Sequence, residues 1–407
     1  MSCAFFLSAD DIDQLSTKLL SIRAADFAAV NPNTGTAATF RNQRDADITI
    51  DLHSRFPIVE NTDGIKTPTW PIGYSQMFNM RTDRGNGILR KRVELEEAGF
   101  YLVDDGNIMR RADEEYVPLL VGRMIHHFDH RFASVEESED AEENDAVGVS
   151  VTAEQHNAPD FTPEPQFWVP KNRLPSYGNL RWFLAYRDIT NTTNARTAIA
   201  TVMPRCGAGH TLPILPPKLP APPGEDAFGV ASAVYEAEVA RILGSYKRMA
   251  PLLLANFNSF ALDFIARQKV QSTHLSFFIL QQLPVIPLEA FARPIGATSA
   301  EAIIRDHVLR LSYTAHDLKP FAEDMGHHGA PFPWDTEERL HLRARLDALF
   351  FLLYGLNRDD AAYILSTFPI VQREEEEQFA GRFRSRDLIL GYMAAFAAGD
   401  PDSRISA

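Results

Sequence analysis

The chain has 407 residues, 45% of them hydrophobic and 23% charged, the composition of a globular protein of two or three domains. Two cysteines, Cys3 and Cys206, exclude a disulfide scaffold and suit a reducing, cytoplasmic setting. A formal charge of −14, taken over the whole chain, argues against a nucleic-acid binder, because phosphate contacts need clustered Lys and Arg. The apolar runs Pro251–Leu254 and Leu346–Leu353 fall far short of the ~20 residues that span a bilayer, so no membrane partner is expected.

In chain order, residues 8–29 predict a helix: Ser8 caps, Asp11 completes a capping box, and Ile12, Leu15, Leu19 and Ile22 recur at helical spacing. The turn-forming run Asn31–Gly35 ends it, and Asn42–Arg55 predicts a second, shorter helix. From Phe56 to Arg131, short apolar pieces alternate with Gly, Asp and Asn turns, the pattern of irregular sheet and loops. Glu136–Asp145 is too charged to pack, and the acidic loop 136–165 marks a boundary. Arg181–Arg187 and Ala195–Met203 read as strands around an Asn/Thr-rich turn. Prolines 213, 216, 217, 220, 222 and 223 make 212–224 an extended connector. Helices are expected at 231–246 and 251–266, then an apolar strand leading into Pro284 and Pro287. Beyond Ala300 the chain reads as helical over 300–311, 314–325, 335–354, 358–367 and 376–397, with Arg339, Arg343 and Arg345 on the wet side of an amphipathic helix. The expectation is an α+β fold. It has an N-terminal helical connector (1–60), a mixed strand and loop domain with packed helices (61–290), and a helical C-terminal region (291–407).

The charge is sorted along the chain. Gln166–Leu275 holds twelve basic residues against six acidic ones, so the acid excess lies in the flanks. Several chemistries are missing. Gly85 and Gly87 lack the third glycine of a phosphate-cradling loop, and there is no nucleophile elbow. Asp160, Glu164 and Lys171 invite a metal nuclease reading but lack the acid-x-Lys pairing. His126, His127 and His130 put two rings on one helical face, where a structural or DNA-contact role outweighs a metal site because no further ligand stands at the right spacing. Two segments carry more. In Tyr186–Pro204, Arg187 and Arg196 flank short polar donors including Asn194, a set suited to phosphate and base-edge contacts or, equally, an Asx-rich hairpin with incidental arginines. In the second, a buried helix ends in Arg267, Gln268 and Lys269 and turns through Thr273 and His274, a cationic cluster that the helix dipole also favours.

Five blocks in order resemble one family. They are NPNT, FR and RDA between Asn31 and Ala46; PLLVGRMIHHFDHRFA (118–133); YRDITNTTNARTAIATVMPR (186–205); LANFNSFALDFIARQKVQSTHLSFFILQQLPVIP (254–287); and LDALFFLLYGLNRDDAAYILSTFPIV (346–371). The chain resembles, from near Ala4 to near Tyr392, the C-terminal region of large N6-adenine DNA methyltransferases of restriction and phage-defence systems, such as type IIG and BREX- or DISARM-like methylases. The resemblance implies target recognition on double-stranded DNA, with Arg187, Asn194 and Arg196 in one block and Gln268, Lys269, Thr273 and His274 in the other. The family's methylase needs a glycine loop for S-adenosylmethionine and an Asn/Asp-Pro-Pro-aromatic loop for the flipped adenine. Neither occurs here, since Asn33 follows Pro32, so the chain is expected to be non-catalytic, to bind no cofactor and to lack a complete Rossmann-like domain. Ala4–Leu7 resembles the end of that domain's last strand. A second reading is an interaction subunit docking on a separate methylase or defence partner through the helices after Ala300; a third, weaker one is a stand-alone hydrolase or nuclease.

Overall fold

Short polar side chains set where the helices start. The Asn42 side chain accepts from the Asp45 amide at 3.0 Å and opens a helix over Gln43–Arg55, as expected. Ser259, Ser299, Asp335 and Asn357 cap later helices the same way. Each satisfies an amide that the helix itself cannot, a contribution of about 1 kcal/mol.

The computed structural model describes residues 2–3, 19–36, 38–60, 70–103, 107–137, 146–223, 230–270 and 273–406. The fold is α+β. Strand β1 (Ser2–Cys3) pairs with β2 (Leu20–Ser21), followed by helices α1 (Ala24–Val30) and α2 (Gln43–Arg55). Ala4–Leu7, the Ser8 cap and the first half of the expected 8–29 helix lie outside the described residues. Within them, that helix is shorter than its periodicity suggests. Asp26 takes the Arg23 amide at 2.9 Å and fixes the start at Ala24, while Leu20 and Ser21 are drawn into pairing.

After α3 (Met80–Gly85) and α4 (Arg92–Glu97), β3 (Tyr101–Val103), β4 (Ile108–Arg111) and β5 (Glu114–Leu120) form an antiparallel meander. The hairpin β6 (Ala133–Glu137) and β7 (Ala146–Ser150) carries the acidic run, whose tip at 138–145 lies outside the described residues. The short helix α5 (Ala153–Asn157) follows. β8 (Trp168–Pro170) adds to β5. β9 (Trp182–Tyr186) and β10 (Ala200–Pro204) form a second ladder, and β11 (Gly207–Ala208) joins β5 in parallel. The described residues contain no doubly wound parallel sheet. Every residue of β9 is buried, so its apparent alternation carries no meaning: helices cover what the hairpin leaves open. The proline-rich segment is extended as expected but is no loose tether. Leu212–Pro217 are buried, and Ile214 bridges to both Ser75 and Ala185.

Helix α6 (Val230–Phe257) runs straight through Pro251, where two helices were expected. Proline inside a helix forfeits a hydrogen bond and costs about 3 kcal/mol, and burial of Leu252–Ala255 offsets that. The true break is at Asn258, whose side chain accepts from the Ala200 amide (2.9 Å) and donates to the Ala200 carbonyl (3.0 Å) as a strand neighbour would. Ser259 then caps α7 (Phe260–Lys269). The apolar strand expected next is instead the short helix α8 (Phe277–Leu280) and an irregular buried thread. No single helix among the described residues is long and apolar enough to cross a membrane; α6 and α7 qualify only as a pair, bent by 68°.

After the small hairpin β12 (Pro294–Ile295) and β13 (Thr298–Ser299) come α9 (Ala300–Ser312), α10 (Lys319–Asp324), α11 (Thr336–Leu353), α12 (Arg358–Ser366), α13 (Pro369–Gln378) and α14 (Arg384–Ala397). The single helix expected over 376–397 is two, because Ala380 and Gly381 turn the chain at φ 53° and 84°. Helix α11 departs from the amphipathic expectation as well. Arg339 is buried, lies 3.6 Å over the Trp334 ring and donates to the Leu311 carbonyl at 2.6 Å. One buried cluster runs from Ile48 to Phe396, so the expected boundaries at 60/61 and 290/291 do not separate cores. Trp182 shows this locally: it stacks on Tyr246, meets Phe321 edge-on and donates to Asp324.

Candidate nucleic-acid interface

The two segments singled out in the sequence meet in space. The Thr190 amide donates to the Thr273 carbonyl at 2.9 Å, the Leu275 amide to Asp188 at 2.7 Å, and His274 Nδ1 lies 2.7 Å from the Asp188 carboxylate. Between the strands, Asn191 accepts the Thr193 amide at 3.1 Å, the Asx turn that the Asn/Thr composition suggests.

What the sequence does not show is the direction of the cations. Arg187 donates through Nε to the Gly122 carbonyl at 2.8 Å and also to the Ile125 carbonyl, and enclosure pushes its guanidinium down to about 10. Gly122 makes that approach feasible, since a Cβ there would stand 3.2 Å from the Arg187 stem and 2.6 Å from the Thr211 carbonyl. Arg196 is buried over Phe260 and paired with Asp263 at 2.6 Å; Asp263 also takes the Thr197 and Ala198 amides. Arg267 spans to the carbonyls of Asn194 and Ala195 at 2.6 Å each and lies over Phe368. Lys269 is buried against the Val30 carbonyl and the Asn31 side chain, its ammonium pushed down to about 7 by burial. Gln268 folds back onto the Phe264 carbonyl at 3.1 Å.

The structure thus gives each of these five expected DNA contacts a partner within the fold. Arg187, Arg196, Arg267, Gln268 and Lys269 tie the loops to the core, because each is already turned onto carbonyls or a carboxylate inside the fold. Asn194, Thr273 and the half-exposed His274 remain on the surface, beside the exposed Ile189.

Unspent positive charge gathers elsewhere. A cavity of about 590 Å³ lies between β5, the 159–162 loop, the end of β10 and the start of α10. Lys171, Arg181, Arg205 and Lys319 line it against Asp160 and Asp317. The Arg205 amide donates to the Arg181 carbonyl at 3.2 Å, which holds these two exposed arginines together. Asp317 is spent on His130 at 2.9 Å. Lys171 and Arg181 have exposed pairings with Glu115 (2.7 Å) and Glu323 (2.8 Å), of the kind worth ~0–1 kcal/mol and readily exchanged. The side chains of Arg205 and Lys319 have no hydrogen-bond or ion-pair partner among the described residues. The sequence count contained Arg205 without marking it; Pro204 just before it, closing a strand, was the available signal. Lys319 lies outside the basic segment and carried none.

The histidines are structural in character. His126 and Asp129 close a tight turn by exchanging backbone bonds, His127 reaches the Ala198 carbonyl at 2.8 Å, and His156 lies 3.1 Å from Asp129. Among the described residues no group of three or more His, Cys, Asp or Glu is placed to hold a metal. Asp160 and Lys171 do share the basic cavity, but Glu164 turns away to Arg92. In comparisons with known proteins, no family model, no curated protein and no solved structure matches this chain.

Proposed function

We propose that the chain is a non-catalytic DNA-recognition module, the specificity part of a site-specific adenine methyltransferase of a restriction or phage-defence system. The basic cavity grips phosphates, and the surface of Asn194, Thr273 and His274 meets the duplex beyond the far end of the β9–β10 ladder. About seven residues separate Arg181 from Asp188, and at roughly 3.3 Å each that is ~23 Å, within one turn of DNA. The observation that carries this reading is Arg205 and Lys319 opening into one cavity without a carboxylate partner among the described residues, in a chain whose overall charge is −14. Methyl transfer and S-adenosylmethionine belong, in this reading, to a separate domain or subunit.

Four phosphate contacts imply a salt slope near −3.6, a roughly hundredfold loss of affinity between 50 and 200 mM salt. A gel shift on random duplex at low salt tests it: salt-insensitive binding, or none, sinks the proposal. The alternative of docking through the helices after Ala300 draws no support from exposed apolar area. The large exposed hydrophobics among the described residues, from Leu19 to Phe278, all precede that region.

A further inference from the structure

The hairpin of β6 and β7 is a two-stranded sheet with one edge closed and the other open. Its register is continuous, with Ser134 opposite Val149 and Val135 opposite Gly148. The Val151 amide donates to the Phe132 carbonyl at 3.0 Å, and the Val135 amide turns away from β7 to the Glu164 carbonyl at 2.9 Å. Hydrogen-bonded pairs alternate along an antiparallel ladder, so Val147 and Val149 bond to β6 while Gly148 and Ser150 point their N–H and C=O groups outward. No described residue hydrogen-bonds to those outward groups.

The open edge is apolar as well. Val147, Gly148, Val149 and Ser150 are all exposed, Val147 at 58% and Val149 at 39%. Both valines lie on one face of the strand, opposite the face on which Arg123 and Ala133 approach Gly148, 3.6 and 3.9 Å from an added Cβ. Edge strands of this kind are commonly blunted by Pro, Lys or a bulge, because unpaired N–H and C=O groups template another strand. The sequence of β7, AVGVS, has neither Pro nor Lys, and its pairing has no bulge. Charge next to it has one sign. The ten residues Glu136–Asp145, which run from the end of β6 to the start of β7, carry seven carboxylates and no Lys or Arg.

We propose that β7 is a docking edge for an extended, Lys- or Arg-rich segment of a protein partner, which adds to the hairpin as a third strand. Gly148 and Ser150 supply the backbone hydrogen bonds, and the valine face meets alternate apolar side chains of the added strand. Charge selects the partner. Ions interact over ~8 Å at physiological salt, so cations on a strand laid along β7 feel the acidic run that leads directly into it. A second copy of β7 would bring its own seven carboxylates, which disfavours pairing between copies. This docking edge stands independently of DNA binding.

The test is fluorescence anisotropy of the full chain with a dye-labelled octapeptide of alternating Lys and Val, beside octapeptides of alternating Glu and Val and of alternating Lys and Pro. The Lys-Val peptide should bind saturably. The Glu-Val peptide, wrong in charge, and the Lys-Pro peptide, unable to pair, should each bind roughly tenfold weaker or worse. Gly148→Pro removes only an outward N–H, so it should cost roughly tenfold or more in Lys-Val affinity with circular dichroism unchanged. Glu139→Gln combined with Glu142→Gln and Glu143→Gln should weaken the same peptide about threefold or more. The proposal is overturned by absent Lys-Val binding, by equal binding of either other peptide, or by a Gly148→Pro variant that binds as the parent does. A parent dimer in sedimentation velocity that Gly148→Pro turns monomeric would make a second copy the occupant and overturn it too. Should Gly148→Pro not fold, unchanged Lys-Val affinity in the triple Gln variant overturns it instead.

Discussion

Two ends of one β-ladder use arginine in opposite ways. At the 187–199 end, Arg187, Arg196 and Arg267 point inward and are consumed by carbonyls, Asp263 and aromatic faces. At the 181 and 205 end, Arg181 and Arg205 stand on the rim of an open cavity with Lys171 and Lys319. All five arginines lie in the net-basic segment 166–275. The difference is whether acceptors from distant elements converge on the guanidinium, so local basicity identifies neither a brace nor a contact.

The largest test of that contrast is Arg196→Ala. It leaves Asp263 buried without its cation, a loss of about 3–5 kcal/mol in urea unfolding. A cost below ~1 kcal/mol would mean that Arg196 is no brace.

Lys269 sharpens the same point through pH. Its folded pKa, about 7, lies below the unfolded value near 10.4, so between these values the unfolded chain binds the extra proton. Stability contributed by Lys269 should therefore rise with pH from about 7 to 10, by at most about 1.4 kcal/mol per unit, relative to Lys269→Met. A difference between the two proteins that is flat with pH would contradict the burial of this ammonium.

On the open side, Arg205→Ala with Lys319→Ala should leave unfolding within about 0.5 kcal/mol of the parent while reducing the salt slope of DNA binding by about 2. Loss of stability with an unchanged slope would reverse the assignment of the two ends. The smallest effect is expected at Asn194→Ala, under about 1 kcal/mol in stability, with any change in DNA binding dependent on sequence and not on salt. A salt-dependent loss there would make that loop a phosphate contact instead.

Much of the local structure was legible. Asn42 marked its helix, the helices at 300–311, 335–354 and 358–367 followed from apolar spacing, and the strand at 181–187 was found although its alternation was not the reason. Pro251 misled, because apolar burial of the turn that follows it, Leu252–Ala255, offsets the hydrogen bond it forfeits. The pairing of the 186–204 and 254–275 segments was not stated by either alone, though both stood out for their short polar residues beside arginines.

By itself, then, the sequence determined the α+β character, the helix starts at Gln43, Ala300, Thr336 and Arg358, and a basic middle between acidic flanks, because caps, turns and periodicity act within a few residues. Tertiary structure alone decided which charges face water. Arg196 meets an aspartate 67 residues away, and Lys269 an asparagine 238 residues away. The −14 of the whole chain thus says little about either end of the ladder: a charge's partner is chosen by proximity in space, and Coulomb energy falls with distance, not with position along the chain.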